Sequence, residues 1–246
     1  MPQMNDQKAR FQAAADEYVA KTQLEKDVIG IVVSGSFVHA ELGPNSDIDI
    51  YVITDPSNTE RERGNIWIHG VEIEYFKNPP QQIRAYFRKE KSPHTAHILA
   101  NGLVAFQSST EVEKLIQEAK AIMAQKAPAL KSFQIELLKY GLDDLLKDYA
   151  DSYAIEDYFA AMQIKHQIIN HCIDAFCQIH RIYRTKSKRL MAQLFEIDST
   201  FGLMIVQLSL SDWEDKKGIE KVGTYTANLL GGPRTKEWVL RSKLDL

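Results

Sequence analysis

A chain of 246 residues, 44% hydrophobic and 26% charged, holds enough apolar material for one large or two modest cores. A net charge of −3 argues against a general basic surface for long nucleic acid, since phosphate neutralisation needs many Lys and Arg, so a small substrate is favoured. No apolar run approaches the ~20 residues needed to span a bilayer, and no charged start followed by an apolar stretch marks the N-terminus, so a cytoplasmic protein with no membrane partner is expected.

The first segment, Asp6 to Leu24, places Phe11, Ala14, Ala15 and Tyr18 at helical spacing and predicts an amphipathic helix covering a sheet. Val28 to Val33 is short and almost wholly apolar, as in a buried strand, and Ser34-Gly35-Ser36 interrupts it. A spacer, Phe37 to Ser46, ends in Gly43-Pro44-Asn45-Ser46, turn chemistry that redirects the chain into a strand beginning at Asp47. Thr54-Asp55-Pro56 ends that strand. Ile66 to Ile68 and Val71 to Phe76 read as two strand pieces around His69-Gly70, and Asn78-Pro79-Pro80 forbids continuation.

Beyond Pro80 the period becomes helical. Helices are predicted over Gln81 to Lys89 and His94 to Asn101, then a strand over Leu103 to Phe106 and a helix from about Thr110. From Ala127 onward nearly everything is helical. One apolar stripe runs through Phe133, Leu137, Leu138, Leu142, Leu145 and Tyr149, another through Phe159, Met162, Ile169, Ile173 and Phe176. Shorter helices follow over Ser187 to Phe195, Thr200 to Leu210 and Trp213 to Leu230, with Gly231-Gly232-Pro233 as a stop. The expected organisation is an α/β domain over residues 1–126 and an antiparallel helical bundle over residues 127–246. Cys172 and Cys177 lie five apart in a helical pattern, which gives neither a disulfide framework nor zinc spacing, so buried free thiols are expected.

The chemistry concentrates in the first half. Asp47-Ile48-Asp49 puts two carboxylates on one face of a strand, with Ile48, Ile50 and Val52 on the other. Like charges so placed repel unless a cation sits between them, and hard oxygen donors select Mg²⁺ or Mn²⁺. Gly35 allows a tight turn and close approach to a ligand; Ser36 offers a hydroxyl and a backbone N–H to an anion. Glu72 and Glu74 supply further carboxylates, and strand parity places both on the same face.

The ordered set Val32-Val33-Ser34-Gly35-Ser36, Ser46-Asp47-Ile48-Asp49-Ile50 and Gly70-Val71-Glu72-Ile73-Glu74 resembles the nucleotidyltransferase superfamily, which includes DNA polymerase beta and the aminoglycoside and lincosamide nucleotidyltransferases. The resemblance implies a nucleotidyltransferase fold, a small mixed sheet flanked by helices, with a helical bundle after it. It implies two Mg²⁺ ions (Mn²⁺ as substitute) about 3.5–4 Å apart on Asp47, Asp49 and a third acid. Position near the start of its strand favours Glu72, with Glu74 as the alternate. Gly35 and Ser36 would meet the terminal phosphates of an NTP such as ATP. The strongest basic cluster is Arg181 to Arg189, and the run Tyr183 to Leu194 resembles the helical-domain segment from which a lysine of relatives reaches the triphosphate, with Lys188 in the matching slot.

The reaction so implied moves a nucleoside monophosphate from an NTP to a hydroxyl of a small acceptor, an antibiotic among the candidates, with release of pyrophosphate. The acceptor would sit between sheet and bundle. A regulatory nucleotide-binding module of antitoxin type is the alternative, and a long helical half counts against it. Transfer to an RNA or protein acceptor is a further alternative, and RNA is disfavoured by the charge and by the absence of an evident RNA-binding extension. His94 and His97 make a poor zinc site without a third ligand, and His166 and His180 read as core histidines.

Overall fold

Five strands and four helices form the first half of the chain in a computed structural model that describes residues 2–38, 42–90 and 92–239. The run of β-formers at Val28–Ser34 is β1, Ile48–Thr54 is β2, Glu62–Ile68 is β3, Val71–Asn78 is β4 and Leu103–Gln107 is β5. They make one sheet in the order β3-β4-β2-β1-β5. The β2–β4 pair is parallel, and β1–β2, β1–β5 and β3–β4 are antiparallel, so the sheet is mixed as expected.

The central strands are buried on both faces, which is why β1 and β2 read as near-continuous apolar runs. On one face α1 (Pro2–Thr22) lays Phe11, Ala14, Ala15 and Tyr18 against Ile31, Val33, Ile48, Ile50, Val52 and Ile73. On the other, α2 (Pro80–Lys89), α3 (His94–Asn101) and α4 (Thr110–Met123) cover Val32, Tyr51 and Ile53 with Ile83, Leu99, Val112 and Leu115. Arg84 of α2 is clamped by Glu111 and Glu118 of α4 at 2.6 and 2.7 Å. The middle of the predicted spacer, residues 39–41, lies outside the described residues.

β3 begins at Glu62, four residues before the predicted start at Ile66. Glu62-Arg63-Gly64-Asn65 lacks β-formers, and the hairpin ladder to β4 decides the conformation instead of propensity. The strand is an edge, mostly exposed, and carries Glu62 and Arg63 at its start, charges that discourage pairing with other chains. The hairpin turn, His69-Gly70, has φ of +51° and +69°, the left-handed pair that a two-residue connection requires.

The chain divides into two compact units, Met1–Gln125 and Lys126–Leu246. The second contains α5 (Ser132–Ala154), α6 (Tyr158–Ile179), α7 (Ser187–Ile197), α8 (Ser199–Leu210) and α9 (Lys216–Leu229). Helices α5 and α6 run antiparallel, joined by three residues. Their shared core continues into α8 and α9 through the stacked Phe176 and Phe201 rings, 4.2 Å apart. No described helix is long and apolar enough to cross a membrane.

Three expectations for this half are corrected. Phe133 and Leu137 are 40% and 44% exposed on α5, whose buried residues are Leu142 and Tyr149, and Phe159 and Met162 are 71% and 41% exposed because the buried face of α6 is carried by Ala161, Lys165, Ile168, Ile169, Cys172, Ile173 and Phe176. The lysine escaped the apolar pattern. Its Nζ donates to the Ser211 and Asp212 carbonyls where α8 ends, satisfying acceptors that a helix terminus leaves open. His166 and His180 are exposed instead of core residues. The last helix starts at Lys216, with Asp215 accepting from the Gly218 N–H at 2.9 Å as its N-cap, and Trp213 lies in the connection before it. Cys172 and Cys177 are buried free thiols, and burial pushes both up to about 11.

Candidate active site

β2 carries Asp49, Tyr51 and Ile53 on the α2–α4 side of the sheet. Helices cover the last two and leave Asp49 half-buried at the strand's leading end. Asp47 lies one residue before the β2 ladder begins. The parallel register sets Asp49 against Glu74 and Tyr51 against Phe76, whose rings stack at 6.0 Å. The Asn78 amide donates to Tyr51 Oη at 3.1 Å, a second tie holding β2 and β4 in this register.

That register decides which glutamate stands with the aspartates. One carboxylate oxygen from each of Asp47, Asp49 and Glu74 lies within 4.8 Å of the others, and all three residues are half-buried. The spacing and the all-oxygen donor set suit a hard divalent cation such as Mg²⁺ or Mn²⁺. Glu72 stands two residues nearer the hairpin turn, and its Oε1 accepts from the Asn65 amide at 2.6 Å. Glu74, the alternate on sequence grounds, is thus the residue grouped with the aspartates, and Glu72 lies beside the group. Both line a 380 Å³ depression with Asp47, Arg63, Gly64 and Asn65.

The Gly35 turn closes over the same carboxylates. Gly35 has φ of +86°, and a Cβ there would stand 2.6 Å from Asp49 Oδ2. The glycine therefore makes room for a protein carboxylate as well as for any ligand. Ser34, just before it, pairs with Asp49 across the β1–β2 ladder. The Ser36 hydroxyl donates to Ser46 Oγ at 3.1 Å, and Ser46 Oγ also accepts the Gly43 N–H at 2.8 Å. These bonds fasten the Gly-Ser turn to the residue immediately before Asp47.

Two neighbours escaped the sequence reading. Arg63 of β3 donates from Nε (3.0 Å) and Nη2 (2.5 Å) to Glu74 Oε1 and lies over the Phe76 ring, 4.8 Å from its centroid. Asn65 holds Glu72. The signal lay in the turn: a two-residue hairpin at His69-Gly70 sets Trp67 opposite Glu72 and Asn65 opposite Glu74, so Arg63, Asn65 and Trp67 share the acidic face. Trp67, 67% exposed, stands at the outer edge of that face.

In the second unit, the basic run divides by role. Arg184 pairs with Asp174 at 2.8 Å and with Asn170, and Arg181 Nε donates to the Ala127 carbonyl at 2.9 Å, so both arginines brace the fold. Lys188 is exposed in the first turn of α7. A larger depression of 560 Å³ lies against α1 and the β3–β4 hairpin. Its charges are paired among themselves, Lys21 and His69 with Glu17 and Lys77 with Glu25, and none of the clustered acids lines it.

Residues 18–105 match the family model described as the nucleotidyltransferase domain. The crystal structure of a nucleotidyltransferase-like protein from Exiguobacterium sibiricum 255-15 is similar in fold, with a TM-score of 0.50 and 14% sequence identity, over 89% of this chain and 74% of that one. No curated protein matches the sequence. The matched span runs from the end of α1 through β5 and includes the Gly35 turn, both aspartates and both glutamates, so that residues 18–105 of this chain are similar to the nucleotidyltransferase domain.

Proposed function

We propose that the protein transfers a nucleoside monophosphate from an NTP, ATP among them, to a hydroxyl of a small acceptor and releases pyrophosphate, in the cytoplasm and with Mg²⁺ or Mn²⁺. The observation that carries this reading is the trio Asp47, Asp49 and Glu74 at the open end of β2 and β4, beside a glycine turn that leaves space for an anion. The three carboxylates would hold the cation, and Gly35 and Ser36 would bring backbone N–H groups to the phosphates. When bound, divalent metal supplies charge neutralisation at the triphosphate and a lowered pKa at the acceptor hydroxyl.

The remaining steps belong to protein groups. Glu72, anchored by Asn65 beside the trio, is placed to receive the acceptor's proton, so the two glutamates divide the work of metal holding and base. Lys188 adds positive charge for the triphosphate. A small acceptor is favoured by the net charge of −3 and by a depression of 380 Å³, a volume suited to part of a drug-sized molecule. An antibiotic hydroxyl and a metabolite hydroxyl satisfy the same chemistry.

The test is incubation with Mg²⁺ and each labelled NTP against aminoglycosides, lincosamides, tRNA and protein acceptors. Pyrophosphate release with one small acceptor supports the proposal. Label on tRNA or protein redirects it, and nucleotide binding without turnover supports the regulatory alternative. Glu74→Gln should weaken Mn²⁺ binding about 10- to 100-fold, whereas Glu72→Gln should keep the metal and lose kcat by roughly 100-fold. The reverse pattern would exchange their roles.

A further inference from the structure

Glu74 faces two claims. Arg63 gives it two charge-assisted hydrogen bonds on a single oxygen, and the same carboxylate belongs to the only group of acids among the described residues spaced for a metal ion. A guanidinium and a divalent cation, both positive and both at one carboxylate, repel each other. The arginine is also the more easily displaced of the two. It springs from an edge strand, its side chain is 69% exposed, and it rests on the Phe76 face, so leaving Glu74 costs little burial.

We propose that Arg63 is a built-in counter-cation that Glu74 exchanges for the divalent metal. Asp47, Asp49 and Glu74 are like charges held close together, and Arg63 offsets part of that repulsion at Glu74 until metal takes over. The exchange makes metal affinity a tuned quantity. The guanidinium weakens the site for adventitious cations, and it is released at the edge of the 380 Å³ depression, where a planar fork of donors suits phosphate oxygens. This rests on the metal-holding role given above to the three acids.

Mn²⁺ titration by calorimetry, on the full chain and without nucleotide, tests it through Arg63→Gln and Arg63→Lys. Arg63→Gln should bind Mn²⁺ about two- to fivefold more tightly than the wild type, a range set by a solvent-exposed ion pair, and Arg63→Lys should stay near the wild type. In chelator, Arg63→Gln should melt below the wild type, and saturating Mn²⁺ should close the gap. Equal or weaker Mn²⁺ binding by Arg63→Gln would overturn the proposal and make Arg63 a positioning residue for Glu74. If neither wild type nor variant binds Mn²⁺, the metal reading of the acids falls first and the exchange falls with it.

Discussion

Replacing Gly35 by alanine tests the coupling between backbone conformation and the acidic cluster. At φ of +86° an L-residue loses about 1–2 kcal/mol relative to glycine. The new Cβ would also stand 2.6 Å from Asp49 Oδ2 and 3.4 Å from its Cγ, so the carboxylate must rotate or the turn must shift. Off-rotamer displacement adds about 0.5–1.5 kcal/mol. The sum, roughly 1.5–3.5 kcal/mol, corresponds to a fall in Tm of about 3–14 °C for a chain of this size. Because the displaced atom belongs to the trio proposed to hold the cation, Mn²⁺ affinity should drop about tenfold or more.

Gly70→Ala is the internal control. Its φ is +69°, and nothing lies within 4 Å of an added Cβ. It should therefore show a comparable backbone cost with unchanged Mn²⁺ affinity. Thermal melts in chelator and calorimetric Mn²⁺ titration of both variants give the answer. If Gly35→Ala loses no more metal affinity than Gly70→Ala, the turn does not shape the acidic cluster and the argument from Gly35 fails.

Asp49→Asn removes one carboxylate of the trio, so transfer should fall at least ~100-fold while Tm holds or rises; near-normal turnover would contradict the metal assignment. Lys188→Ala should raise the KM for NTP several-fold with folding unaffected, since the residue is exposed, and an unchanged KM would return it to the solvated surface. Asp198 caps α8, accepting from the Thr200 and Phe201 N–H groups at 2.8 and 3.0 Å, so Asp198→Ala should cost about 0.5–2 kcal/mol in urea unfolding. The Tyr225 hydroxyl, with those N–H groups, holds the Asp198 carboxyl below the usual carboxylate range. Its contribution is present above the unfolded value of about 3.9 and is lost as pH falls through the folded one, so the variant should show a shallower acid limb than the wild type.

The order of elements was legible in the sequence because local signals coincide with the tertiary answer. Apolar runs bounded by Gly, Pro and Ser mark β1 and β2, and helical spacing marks α1 and the second unit. Asp47, Asp49 and Gly35 were legible for a related reason: an acid pair at period two and a glycine at a strand end carry their meaning within a few residues. Local signals failed where neighbours outweighed propensity, as in β3, which hydrogen-bonds to β4 without β-formers at its start, and in α6, whose inner face includes Lys165 because α8 ends against it.

The choice between the glutamates needed the tertiary structure. Glu72 and Glu74 have the same strand parity, so no local pattern separates them; the parallel register, pinned by Tyr51 on Phe76, sets Glu74 beside Asp49. Arg63 reaches Glu74 only because the hairpin folds β3 back along β4. Residue type and spacing along the chain marked the aspartate pair and the glycine turn on which the proposed chemistry rests. Which acid and which arginine share the site was decided by strands distant in sequence, since a ladder's register comes from long-range pairing that no single segment encodes.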